Sequence, residues 1–161
     1  GHKLATLVGT ADGFDFVASP MRRTVETMQR VRRAMNLPVD DFRTDARLVE
    51  VDFGDWQGKR LVDLEIEMPD VFAARQRDKW NMVPSGEGAE SYQMLLERMR
   101  PWFEEIDRQT VCVAHGGILR SALYLTGALP PAACAALLIP QDQILRWQGG
   151  RLEWIADAVY S

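Results

Sequence analysis

The sequence predicts an α/β layered fold with a mixed sheet and one antiparallel edge hairpin. Two short apolar strand candidates, residues 14–18 and 110–114, each run directly into a helix start. Between and after them lie long stretches with apolar residues at helical spacing. Gly149-Gly150 separates two strand candidates, residues 143–148 and 151–156, in the pattern of a two-residue hairpin. No internal repeat or low-complexity segment breaks this alternation, and one domain is expected from 161 residues.

The elements follow in order. Leu4, Leu7 and Val8 are spaced for a helix over residues 3–11, and Gly13 precedes the strand at 14–18. Ser19-Pro20 then reads as a helix start, because a serine side chain can cap free amides and proline suits the first helical position. That helix runs from Pro20 to about Asn36, with Met21, Val25, Met28, Val31 and Met35 as its apolar stripe and Glu26 paired with Arg30. Arg22, Arg30, Arg32 and Arg33 are assigned to its solvated basic face. Residues 61–68 and 70–77 read as shorter helices separated by Pro69. A second long helix starts after Ser91 and buries Leu95, Met99, Trp102 and Ile106, kinked by Pro101. Residues 110–114 form a nearly unbroken apolar run, the pattern of a strand covered on both faces, and a helix follows over residues 117–125.

Composition narrows the function. Nineteen Lys and Arg against twenty-three Asp and Glu give a net charge of -4, and a pI near 5.2. No global attraction for nucleic acid or anionic lipid follows, so an anionic ligand needs a local basic pocket. The chain shows neither an apolar run of membrane-spanning length nor a signal-peptide pattern, and it is expected to be cytoplasmic. Cys112 and Cys134 are read as reduced core thiols. Two histidines without a neighbouring carboxylate pair predict no metal, and no cofactor is expected. Gly54 to Arg60 has the wrong glycine spacing for a phosphate-binding loop. Gly86-Glu87-Gly88 lacks the third glycine of a dinucleotide fingerprint, and no Gly-x-Ser-x-Gly elbow occurs.

Three segments carry candidate chemistry. His115-Gly116-Gly117 joins a strand end to a helix start, where glycine amides can approach an oxyanion and the helix dipole favours negative charge. Arg23, in Ser19-Pro20-Met21-Arg22-Arg23-Thr24, can fork onto a phosphate from the first turn of its helix. Glu50, among Val49, Val51 and Phe53, is either a proton donor with a raised pKa or an exposed strand carboxylate. Trp56, Trp80 and Tyr92 are candidates either for a substrate pocket or for the core; as aromatics are more often core, they are left out of the site.

In this order, Ser-Pro-Met-x-Arg-Thr, Leu-x-Glu-x-x-Phe-Gly-x-Trp-x-Gly and Ala-His-Gly-Gly-x-x-Arg, the chain resembles the histidine phosphatase superfamily, also called phosphoglycerate mutase-like. Gly88-Ala89-Glu90-Ser91, with Arg98 seven residues after Ser91, is similar to that family's loop and following helix. The resemblance implies a three-layer α/β/α sandwich around a mostly parallel mixed sheet. It implies that Arg23 binds phosphoryl oxygens, that Glu50 protonates the leaving alcohol, and that His115 stabilises the phosphoryl group with help from the Gly116 amide. Ser19 is then the helix cap, and Arg120 packs or pairs structurally. The family's nucleophile lies in an Arg-His-Gly motif at the end of its first strand. No Arg-His-Gly occurs here, and His2 does not replace it, so the sequence is expected to begin beyond that strand. The expected activity is phosphomonoester hydrolysis through a phosphohistidine, on a small-molecule substrate and without metal. Phosphoglycerate mutase and a catalytically inactive phosphoester-binding scaffold are the alternatives, and the oligomeric state is unassigned.

Overall fold

The computed structural model describes residues 1–9 and 11–156. These divide into two compact units. The first comprises Gly1–Val49, Glu104–His115 and the described residues from Leu138 on; the second comprises Glu50–Phe103 and Gly116–Leu137.

In the first unit, strand β1 (Asp15–Ala18) is the centre of a three-stranded parallel sheet, flanked by β2 (Arg43–Thr44) and β3 (Thr110–Val113). Helix α1 (His2–Val8) and helix α2 (Arg22–Ala34) belong to the same unit. The core gathers Phe16 and Ala18 of β1, Met28 and Val31 of α2, and Val111 of β3, with Leu4, Val8 and Met35 packed against it. Helix α1 stops at Val8, short of the expected end at residue 11; Thr10 lies outside the described residues. The C-terminal hairpin pairs β4 (Ile144–Gln148) with β5 (Arg151–Ile155) around Gly149 and Gly150, both with positive φ. It forms a sheet of its own, so the antiparallel pair does not extend the parallel sheet as an edge.

Two sequence expectations change here. The apolar run at 110–114 does not end up covered on both faces: among the described residues β3 stands at one side of the sheet, with Val111 buried and Cys112 exposed. Cys112 is therefore a surface thiol, whereas Cys134 is buried; both are free. Arg32 leaves the solvated face of α2. It is 3% exposed, its Nε donates to the Pro38 carbonyl at 2.6 Å, Nη2 pairs with Asp41, and its guanidinium lies over the Phe16 ring. Arg22 stays outside, bonded to Glu26.

The second unit is helical: α3 (Leu61–Glu67), α4 (Pro69–Arg77), α5 (Tyr92–Glu104, whose last residue falls in the first unit), α6 (Gly116–Leu125) and α7 (Pro131–Ala136). Ser91 Oγ accepts the Met94 amide hydrogen at the start of α5, and the preceding Glu90 holds Arg98 through two hydrogen bonds of 2.8 and 2.7 Å. Leu95, Met99 and Trp102 are buried on α5 as the spacing required, and Ile106 falls beyond the helix end. Trp56, Trp80 and Tyr92 lie in the core of this unit. Among the described residues, no helix is long and apolar enough to cross a membrane.

Candidate active site

Parallel pairing decides what the first unit brings together. β1 and β3 run in register with Ala18 opposite Val113, and the Ser19 amide extends the ladder by donating to the Val113 carbonyl at 2.9 Å. Chain segments leaving the two strands therefore start at one sheet edge. Arg23, the second residue of α2, and His115, two residues past β3, meet there, with Arg23 Nη2 3.0 Å from His115 Nδ1.

Because a guanidinium only donates, His115 Nδ1 must accept, and the neutral ring carries its proton on Nε2. That nitrogen lies 2.8 Å from Ser19 Oγ and donates to it. Ser19 is fully buried and His115 is 7% exposed. Burial first, and the Arg23 charge second, lower the pKa of His115 from 6.5 to about 4. The cluster thus presents a fixed cation beside a neutral, oriented imidazole, an arrangement suited to an oxyanion.

Ser19 is not the helix cap. Its hydroxyl faces the imidazole and has only a 3.4 Å contact with the Met21 amide, so α2 begins at Arg22 without a side-chain cap. Thr24 contributes instead, donating its hydroxyl to the Ser19 and Met21 carbonyls. Ser-Pro carries the same local signal for both roles, and only the strand register places the imidazole within reach of the hydroxyl.

Glu50 belongs to the second unit and lies outside any strand. Its carboxylate accepts the Gly117 amide hydrogen, at 3.0 Å to Oε1 and 3.3 Å to Oε2, and Oε1 also accepts from the Val51 amide at 2.9 Å. The Gly117 amide is therefore taken by Glu50, whereas the sequence had assigned it to an incoming oxyanion. Gly116 opens α6. Glycine at 117 permits this close approach: a Cβ there would overlap Glu50 Oε1 and come within 2.8 Å of Leu95 Cδ2, so the carboxylate would have to shift. Arg120, one helical turn on, donates Nη2 to the Leu137 carbonyl at 2.8 Å, and its guanidinium lies over the Tyr92 ring.

Comparison with known proteins converges on one family. The model for "Histidine phosphatase superfamily (branch 1)" matches residues 2–155. Glucosyl-3-phosphoglycerate phosphatase of Mycobacterium tuberculosis is 29% identical over 147 residues, covering 83% of this chain and 63% of that protein. The 6-phosphofructo-2-kinase/fructose-2,6-bisphosphatase of Gallus gallus is 30% identical over 108 residues, covering 65% of this chain and 21% of the relative. The chain thus spans less than two thirds of the length of either. A structure of the mycobacterial glucosyl-3-phosphoglycerate phosphatase with inorganic phosphate matches with a TM-score of 0.67 and 25% identity, covering 98% of this chain and 81% of that one. Bacillus stearothermophilus YhfR, at 19% identity, shares the fold with a TM-score of 0.66 over 97% of this chain and 79% of that one.

Proposed function

The chain belongs to the histidine phosphatase superfamily, and from that premise we propose that it serves a phosphomonoester phosphatase working through a phosphohistidine. The observation that carries the reading is the 3.0 Å contact between Arg23 and His115 at the end of two parallel strands, with the ring oriented by Ser19. Arg23 binds the phosphoryl oxygens, and the His115 ring, with the Gly116 amide, completes their surroundings. In the first step an imidazole nitrogen of an Arg-His-Gly motif, carried upstream of Gly1, forms a bond to phosphorus as the ester P–O bond breaks. The alcohol oxygen takes its proton from Glu50. In the second step water forms a bond to phosphorus, the P–N bond breaks, and inorganic phosphate leaves with the histidine restored. Glu50, held by the Gly117 and Val51 amides, is the acid in the first step and the base in the second.

The likeness to a glucosyl-3-phosphoglycerate phosphatase and a 6-phosphofructo-2-kinase/fructose-2,6-bisphosphatase supports a small phosphorylated substrate. The free thiols of Cys112 and Cys134 support a reducing, cytoplasmic setting.

The test uses the full-length natural protein. Glu50→Gln should slow hydrolysis of alkyl phosphates about a hundredfold more than that of p-nitrophenyl phosphate, whose leaving group needs no proton. Equal losses on both remove Glu50 from the acid role. Robust turnover by residues 1–161 alone, abolished at His2, overturns the upstream nucleophile. Phosphoryl transfer between phosphoglycerates in place of hydrolysis makes the protein a mutase, and phosphate binding without turnover makes it a binding protein.

A further inference from the structure

Gly88-Ala89-Glu90-Ser91 and Arg98 share the second unit with Glu50 and have no task in the reaction steps above. Glu90 stands two residues before α5 and Arg98 in its second turn, and their side chains are 16% and 27% exposed. Arg98 Nε donates to Glu90 Oε1 at 2.8 Å and Nη2 to Oε2 at 2.7 Å, a two-bond fork that fixes the plane of the carboxylate. Ion pairs within reach of water contribute little to stability by themselves, so the value of this one lies in what the fixed carboxylate holds.

It holds Asp52. Glu90 Oε2 accepts the Asp52 amide hydrogen at 3.3 Å, and the Glu90 amide donates to the Asp52 carbonyl at 2.7 Å. One residue, 38 positions away in the chain, thus engages both backbone polar groups of Asp52. The same two loops are fastened a second time, where the Asp55 amide donates to the Ser85 carbonyl at 2.8 Å. Glycine at 54 and 86 permits that approach, since a Cβ on the first would strike the Ser85 carbonyl and one on the second the Asp55 amide. The Asp52 carboxylate closes its own turn by accepting the Gly54 amide hydrogen at 2.7 Å.

Asp52 follows Glu50 by two residues, and residues 50–53 belong to no helix or strand, so no regular ladder of hydrogen bonds sets their position. The Glu50 carboxylate is held at its far end by the Gly117 and Val51 amides. Its backbone end is anchored through Asp52, with Val51 between them only 2% exposed. A displacement of about 1 Å in an acid that must meet a leaving oxygen can cost up to about a hundredfold in rate. An irregular segment tied at the carboxylate alone would permit such a displacement.

From this we infer that Glu90, locked by Arg98, is a positioning residue for Glu50, bracing residues 50–52 so that the carboxylate meets the leaving oxygen. The inference rests on the phosphatase reading and deepens it. Glu90 acts through Asp52 and not on the substrate. Its loss therefore affects substrates whose leaving group needs a proton and spares those whose leaving group does not, whereas an ion pair serving stability alone affects both alike.

The full-length natural protein is assayed on glycerol 3-phosphate, whose leaving alcohol needs a proton, and on p-nitrophenyl phosphate, whose leaving group does not. Glu90→Ala should lower kcat on glycerol 3-phosphate about tenfold, with KM and the p-nitrophenyl phosphate rate within about twofold of the parent. Glu90→Gln keeps an acceptor for the Asp52 amide and should restore kcat to within about threefold of the parent. Arg98→Met, which loosens the carboxylate without removing it, should show the same selective loss at about threefold, and it carries the test where Glu90→Ala does not fold. In a Glu50→Gln background, Glu90→Ala should add less than about twofold, because no acid is left to position. Equal losses on the two substrates, or a further loss of about tenfold in the Glu50→Gln background, overturns the inference. If nothing is hydrolysed, or Glu50→Gln slows both substrates alike, the phosphatase reading or its acid has failed, and amide hydrogen exchange decides the brace independently. Glu90→Ala or Arg98→Met should speed exchange at Val51 and Gly117, whose amides donate to the Glu50 carboxylate, by about fivefold or more, while Met94, held by Ser91 beside Glu90, stays within about twofold. Unchanged exchange at Val51 and Gly117, or equal acceleration at all three, overturns it.

Discussion

Two arginines are folded into the interior, one in each unit, and they are held in opposite ways. Arg32 lies over Phe16 with a backbone carbonyl and Asp41 as partners, so two of its three guanidinium nitrogens are bonded within its own unit. Arg75 also lies against aromatic rings, with Tyr92 and Arg120 as its further neighbours. Both lost hydration on folding, a loss of several kcal/mol for an unpaired ion. The difference teaches that two buried arginines can be compensated by different chemistry: a carbonyl and a carboxylate for Arg32, aromatic ring faces for Arg75.

The comparison can be broken most directly by stability measurements. Arg32→Ala should lower the free energy of unfolding by about 3 kcal/mol, because it removes a buried stem, a hydrogen bond to Pro38 and the cover on Phe16. Arg75→Met should leave stability within about 1 kcal/mol of the parent or raise it, since an unneutralised buried charge gives way to an apolar side chain of similar length. Urea titrations of both variants check this pair, and equal losses would erase the distinction.

A smaller effect is expected at Gly117, where the contact is between a backbone amide and Glu50. Gly117→Ala forces the carboxylate away from the amide that orients it and should reduce kcat on an alkyl phosphate about tenfold, with KM little changed. Steady-state kinetics on alkyl and aryl substrates will show it, and an unchanged kcat would mean that Glu50 needs no such anchor.

A pH-dependent effect concerns His115, a buried group that remains neutral in the fold. Its pKa is lowered from 6.5 to about 4 in the fold. The unfolded chain therefore binds more protons between those values, and stability is full above pH 6.5 and falls as pH drops toward 4. The slope from this one residue is at most about 1.4 kcal/mol per pH unit. Urea midpoints at pH 7, 5.5 and 4.5 should show a component of this slope that disappears in His115→Gln. An identical slope in the variant would place the titration elsewhere.

Local chemistry was legible where the signal is local. The start of α5 is written in Ser91, the break between α3 and α4 in Pro69, and the hairpin in Gly149-Gly150. Helix α7 and the two-residue strand β2 went unread, because six small residues and a single Arg-Thr step carry no periodicity. Ser19 was placed at the right turn with the wrong partner. Arg32 was read as solvated because its helical position gives no sign of the Pro38 carbonyl and Phe16 ring waiting for it. Arg75 gave no signal at all, since its environment comes from residues 53, 56, 92 and 120.

By itself, the sequence determined most of the segments that become strands and helices, because capping, turn geometry and hydrophobic period act over a few neighbouring positions. Motif order alone was also sufficient to point to the family. Tertiary structure decided the rest: that Ser19 orients His115, that the Gly117 amide belongs to Glu50, and that Arg75 packs on Phe53 and Trp56 while Arg120 packs on Tyr92. These are pairings between groups tens of residues apart in the chain. Parallel strand register and helix packing set them, and neither is written in the residues within a turn of the site.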